Sequence, residues 1–160
     1  MPLMIRVSAD TRSLCRDTAV LMVDMRLWTC PKCGRQFRTR SQAHSCVRHT
    51  IEEHFEGRQP LLREVFDRLV GRIRDWSGVH IDAVKSGINL IARAHFGMVF
   101  VRRDHLILDI ILDHELKHPH AKKVEQLSPQ LFIHKFWLTS TEDVNDELIG
   151  WVRDAYELKR

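Results

Sequence analysis

The sequence predicts an α+β fold: a small Cys/His-rich module ahead of a two-layer helix–sheet–helix sandwich whose sheet is mostly antiparallel. Three observations carry this. Three cysteines and two histidines crowd between residues 30 and 49. The apolar period is helical between about 60 and 76, alternates between about 79 and 138, and becomes helical again after 140. The connections within the alternating part are short and polar, as hairpins require and parallel crossovers do not allow.

The 160 residues are 44% apolar and 29% charged, a globular balance sized for one domain with a small appendage. The longest nearly apolar runs, such as 105–112, fall far short of the ~20 residues that span a bilayer. The first 25 residues lack the continuous apolar segment of a secretory signal. A soluble cytoplasmic protein, without a membrane partner, is expected.

Residues 1–26 show neither period, and Met22 and Met25 stand just ahead of the first motif. A poorly ordered arm is expected there, or a translation start at one of these methionines. Residues 27–49 form the Cys/His module and residues 50–160 the α+β domain. Thr50 can cap a short helix, Ile51 to Phe55, with Glu52 and Glu53 in its first turn. Pro60 suits the start of a longer helix, about 60–76, with Leu62, Val65, Phe66, Leu69, Ile73 and Trp76 on its buried stripe. Four strands follow, at 79–84, 88–93, 96–102 and 106–113. A polar stretch, 114–123, precedes a short strand at 124–127 and a last one at 130–138. A final helix starts near Ser140 or Thr141, burying Val144, Leu148, Trp151, Val152 and Ala155. Two helices, each apolar on one side, can cover one face of the sheet; the other meets water, a ligand or a partner.

Charge is unevenly placed. Residues 25–50 hold six cations (Arg26, Lys32, Arg35, Arg38, Arg40 and Arg48) and no acid. The rest of the chain is slightly acidic. A basic module on a near-neutral body points to an anionic partner, nucleic acid or an acidic protein surface. Lys32, Arg35, Arg38 and Arg40 are the candidate nucleic-acid contacts. Only Trp28 and Phe37 supply aromatic surface, too little for reading single strands by stacking.

The module reads W-T-C-P-K-C-G-R-Q-F-R-T-R-S-Q-A-H-S-C-V-R-H. Cys30 and Cys33 can reach one ion from a tight turn, with Gly34 permitting the left-handed backbone that such a turn uses. A tetrahedral zinc ion needs two further N or S ligands. His44 and Cys46 complete the set, or alternatively Cys46 with His49. Four protein ligands leave no open position, so the zinc would be structural. Cys15, alone in a polar segment, reads as a free thiol.

In the sheet, Asp109 interrupts the run 106–112, His134 sits between Phe132 and Phe136, and Lys85 lies at the first hairpin. Together on the uncovered face, Lys85, Asp109 and His134 would form an anion or small-molecule pocket. Nuclease chemistry has only Glu115-Leu116-Lys117, in a loop, to draw on. Phosphate loops and nucleophile elbows are missing.

From Leu27 onward the chain resembles a bacterial domain-of-unknown-function family, number 5655. The likeness rests on L-W-T-C-P-K-C-G-R-Q-F, Q-A-H-S-C, I-E-E-H-F-E-G, the strands from Lys85 to Phe100, I-H-K-F-W-L, and D-V-N-D-E-L-I-G-W-V-R-D-A-Y. The recurring His-Ser-Cys ending of the family's amino-terminal module favours His44 and Cys46 over His49. The sheet domain is also similar in outline to frataxin-like helix–sheet–helix proteins. The resemblance implies architecture and no reaction. A non-enzymatic binding protein is expected, with a small-molecule or enzymatic sheet domain and a protein-interaction adaptor as alternatives.

Overall fold

The computed structural model describes residues 27–37 and 39–160. The expected arm, residues 1–26, and Arg38 lie outside them. The described residues form two compact units that divide between His44 and Ser45.

The first unit is built on a two-residue hairpin. Strand β1 (Trp28–Thr29) pairs antiparallel with β2 (Gln36–Phe37), Trp28 opposite Phe37.

The second unit is α+β. Helix α1 (Ile51–Phe55) is capped by the Thr50 side chain, which accepts the Glu53 N–H. Helix α2 (Pro60–Ile73) buries Leu62, Val65, Phe66, Leu69 and Ile73, spaced at three and four as amphipathicity requires. It ends at Ile73 and not at Trp76. The Trp76 ring instead packs on Tyr156, at 5.2 Å between centroids, from the turn that follows.

Six strands follow: β3 (His80–Val84), β4 (Gly87–Ile91), β5 (His95–Val101), β6 (Leu106–Leu112), β7 (Ala121–Ser128) and β8 (Leu131–Leu138). Every pairing among them is antiparallel, and the order is β3-β4-β5-β6-β8-β7. They fall on the six segments expected as strands. Strand β7 begins at Ala121 and takes in Lys122 and Lys123, which read as loop because they do not alternate. An edge strand needs no alternation, and lysines on it discourage pairing with other chains.

The final helix also departs from expectation. Ser140 and Asp143 do form a capping box, but it closes a single 3-10 turn, Thr141–Asp143. Helix α3 (Asp146–Lys159) is started afresh by Asn145, whose side chain accepts the Leu148 N–H at 2.9 Å. Its buried residues, Leu148, Ile149, Val152, Ala155 and Tyr156, join those of α2 and of the sheet in one hydrophobic cluster. From the sheet come Ile88 and Leu90, Val99, Leu106, Leu108, Ile110 and Leu112, and Phe136 and Leu138. Both helices therefore cover one face. The opposite face carries Met98, Phe100, Ile107, Asp109, Ile111, Lys135 and the exposed Trp137, as the register dictates.

Candidate metal centre and sheet-face residues

The hairpin brings Cys30 and Cys33 together. The Cys30 N–H donates to the Arg35 carbonyl and the Gly34 N–H to the Cys30 carbonyl, both at 2.8 Å. Gly34 takes φ 74°, the left-handed conformation that closes this turn. Both cysteines are buried. His44 returns to them with Nε2 3.3 Å from the Cys33 sulfur, and its ring packs 4.3 Å from that of Phe37. The sulfurs of Cys30, Cys33 and Cys46 and a nitrogen of His44 all lie within 4.8 Å of one another, close enough to hold one metal ion.

Two further features fit a metal. The Nδ1–H of His44 donates to the Gln42 carbonyl at 2.6 Å. That fixes the tautomer and turns the Nε2 lone pair toward the sulfurs, the outer-shell arrangement of ligating histidines. The same carbonyl, ahead of the neighbouring thiols, raises the His44 pKa against the effect of burial. The Cys33 backbone N–H, helped by that of Lys32 and by the Cys33 and His44 side chains, pulls the Cys30 thiol down from 9.0 to about 6 against burial. A thiolate is the form that binds metal. His49 stands outside the cluster, its Nδ1 3.0 Å from Glu53 on α1.

Among the candidate nucleic-acid contacts, Lys32 and Arg40 are exposed and Arg35 is half-buried.

The pocket expected from Lys85, Asp109 and His134 is not assembled. Lys85 is exposed in the turn between β3 and β4. Asp109 pairs with Lys135 in the register of β6 and β8, and His134 pairs with Ile110. Neighbouring residues on a strand point to opposite faces. Asp109 thus lies on the open face, where Lys135 Nζ reaches its Oδ2 at 2.7 Å. His134 lies beneath the helices, fully buried. Its Nε2 accepts the Leu116 N–H at 2.8 Å. Burial, aided by His114, lowers its pKa; the Phe132 carbonyl and Glu115 pull the other way. The imidazole is a neutral core group that pins the loop before β7.

The open face itself is shallow. A depression of about 470 Å³ is lined by Phe100, Ile107 and Trp137 and by the charged row Lys123, Glu125 and Lys135. The partnership of Lys135 with Asp109 spans two strands and is legible only from the register. Among the described residues no helix is long and apolar enough to cross a membrane.

No significant match to a curated protein or to a solved structure is found. The family model of a domain of unknown function (DUF5655) matches residues 51–159, which leaves the Cys/His cluster ahead of the match. Those residues take in α1, α2, the six-stranded sheet and α3, well over half of the chain, and the chain belongs to that family.

Proposed function

We propose that the Cys30, Cys33, His44, Cys46 cluster holds a structural zinc ion, and that the basic module organised around it binds nucleic acid through phosphate contacts. The protein is then a non-enzymatic binding protein. One observation carries this reading: the segment 25–50 has six cations and no acid in its sequence, and it holds a Cys/His cluster offering four protein ligands, the number that a zinc tetrahedron takes. With no open position, the ion organises the loop and does not activate water. Trp28 and Phe37 pack with His44, so the module's aromatic surface is engaged internally. That favours phosphate contact over base stacking. Lys85, Asp109 and His134, the residues of the enzymatic alternative, lie apart.

The test is the salt dependence of binding to duplex DNA. Each neutralised phosphate contributes about 0.9 to the slope of log K against log salt, and six cations limit it to roughly five. Replacing Arg35, Arg38 and Arg40 together by Ala should lower the slope by about three units. Zinc should stay bound, and sequence preference should hardly change, because phosphate contacts carry no sequence information. Absence of binding to duplex and single strands at about 50 mM salt, where phosphate contacts are strong, sinks the nucleic-acid reading. The module would then fit an acidic protein surface.

A further inference from the structure

We infer a second metal site, of open type, formed by His118, His120 and Glu147 on the sheet domain. The three ligand atoms lie within 4.8 Å of one another. The two histidines flank Pro119 in the turn leading into β7, which is closed by the Ala121 N–H donating to the His118 carbonyl at 3.0 Å. Glu147 stands in the first turn of α3. Only the fold brings them together: β7 runs along the sheet edge beside β8, and α3 packs across the same layer.

The site is positioned from the core. The His118 ring packs on Trp151 at 4.8 Å, and Trp151 stacks on the buried Phe136 at 5.3 Å. Trp151 lies one helical turn beyond Glu147, on the same side of α3. Nε2 of His118 is 3.5 Å from one Glu147 oxygen and Nδ1 of His120 is 3.6 Å from the other. Charge-assisted hydrogen bonds would close to about 2.7–2.9 Å. The carboxylate is thus held between two imidazoles without bonding to either. A tetrahedral ion with ligands at about 2.0–2.1 Å sets its donors roughly 3.4 Å apart, close to the distance of each imidazole from its nearer carboxylate oxygen.

Two imidazoles and one carboxylate select a divalent transition ion, zinc foremost, over calcium or magnesium, which take oxygen donors. Three protein ligands leave a position for water or an anionic ligand, and the exposure of His120 and Glu147, at 60% and 50%, gives access to it. Ligation through Nε2 places the His118 proton on Nδ1. The long 3.3 Å contact from the His120 N–H to that nitrogen gives way on loading.

The test titrates cobalt(II) into the full chain after its cysteine cluster has been saturated with zinc. A second equivalent should bind, with ligand-field absorption but without the charge-transfer band of a thiolate. Paramagnetic broadening should centre on Trp151. His120→Ala and Glu147→Gln should each weaken this equivalent by about tenfold or more while leaving the zinc content and the fold unchanged. Cys33→Ser should retain it, which separates this site from the cysteine cluster. Wild-type protein that binds cobalt no more tightly than His120→Ala and Glu147→Gln do, or broadening centred on Cys30, overturns the proposal.

Discussion

The backbone N–H of Leu116 donates to Nε2 of His134 at 2.8 Å, so a loop residue is anchored by a histidine inside the core. The accepting nitrogen must be unprotonated, and burial keeps it so. A folded-state pKa below the unfolded value of 6.5 means that the folded state binds fewer protons. Stability is therefore full above pH 6.5 and falls as the pH drops through 6.5 toward the folded value. His134→Leu should cost about 1–3 kcal/mol at neutral pH, because Leu116 loses its acceptor, and should flatten the decline below 6.5. His95, lowered by burial in the same direction, keeps some slope. Urea midpoints between pH 5 and 8 check this. An acid decline unchanged in the variant would show that His134 is not its source.

Asp109 and Lys135 bridge β6 and β8 on the open face with side chains 13% and 24% exposed. The second Asp109 oxygen is buried without a hydrogen bond, so the carboxylate depends on this lysine. Lys135→Met should cost about 1–3 kcal/mol by stranding the charge. The pair Asp109→Asn with Lys135→Met should recover much of that loss, since an uncharged amide needs less compensation. A double-mutant cycle from denaturant unfolding measures the coupling. A coupling near zero would mean that solvent screens the pair fully.

What the chain discloses before it is folded follows from its periods. The run 106–112 declares a strand, but it is apolar on both sides, Ile107 and Ile111 against Leu108 and Ile110, so parity alone does not say which side faces the helices. His134, between Phe132 and Phe136, carried the better signal: a polar group flanked by two aromatics on one face belongs to the core side. Strand β7 reads as shorter than it is, 124–127, because it is an edge, where alternation is not enforced. Ser140, one of the two helix starts expected, caps only a short 3-10 turn, and Asn145 supplies the cap that starts α3. In the metal module the cysteine spacing was informative, but two closures satisfied it. The Gln42 carbonyl that orients His44 is backbone geometry, and residue types do not encode it.

Removing the metal should separate the two units thermodynamically. The module has little bulk besides Trp28 and Phe37, too little apolar surface to fold unaided. Every residue of the sheet domain's hydrophobic cluster lies at position 51 or beyond. Cys33→Ser, or chelation of wild-type protein, should release about one zinc per chain and unfold residues 27–49, while the main unfolding transition keeps its midpoint and slope. Elemental analysis and amide exchange read the two effects. An ordered module after complete metal removal would contradict a structural role for the ion.

Two glycines should respond to alanine with opposite signs. Gly97 in β5 pairs with Leu90 on one side and Ile110 on the other. A Cβ there would stand 2.8 Å from the Asp109 carbonyl oxygen and 3.4 Å from side-chain carbons of Ile110 and Leu90. The oxygen belongs to the backbone of the neighbouring strand, so relief requires β5 and β6 to separate, at the expense of their ladder. Gly97→Ala should destabilise by about 1–3 kcal/mol. Gly150, inside α3, has nothing within 4 Å of its would-be Cβ. There alanine only restricts the unfolded chain and favours the helix, so Gly150→Ala should stabilise by about 0.5–1 kcal/mol. Denaturant midpoints of the two variants, measured side by side, decide the matter. A Gly97→Ala protein as stable as wild type would mean that the sheet yields at this crossing and that the contact of β5 with β6 is looser than its register implies.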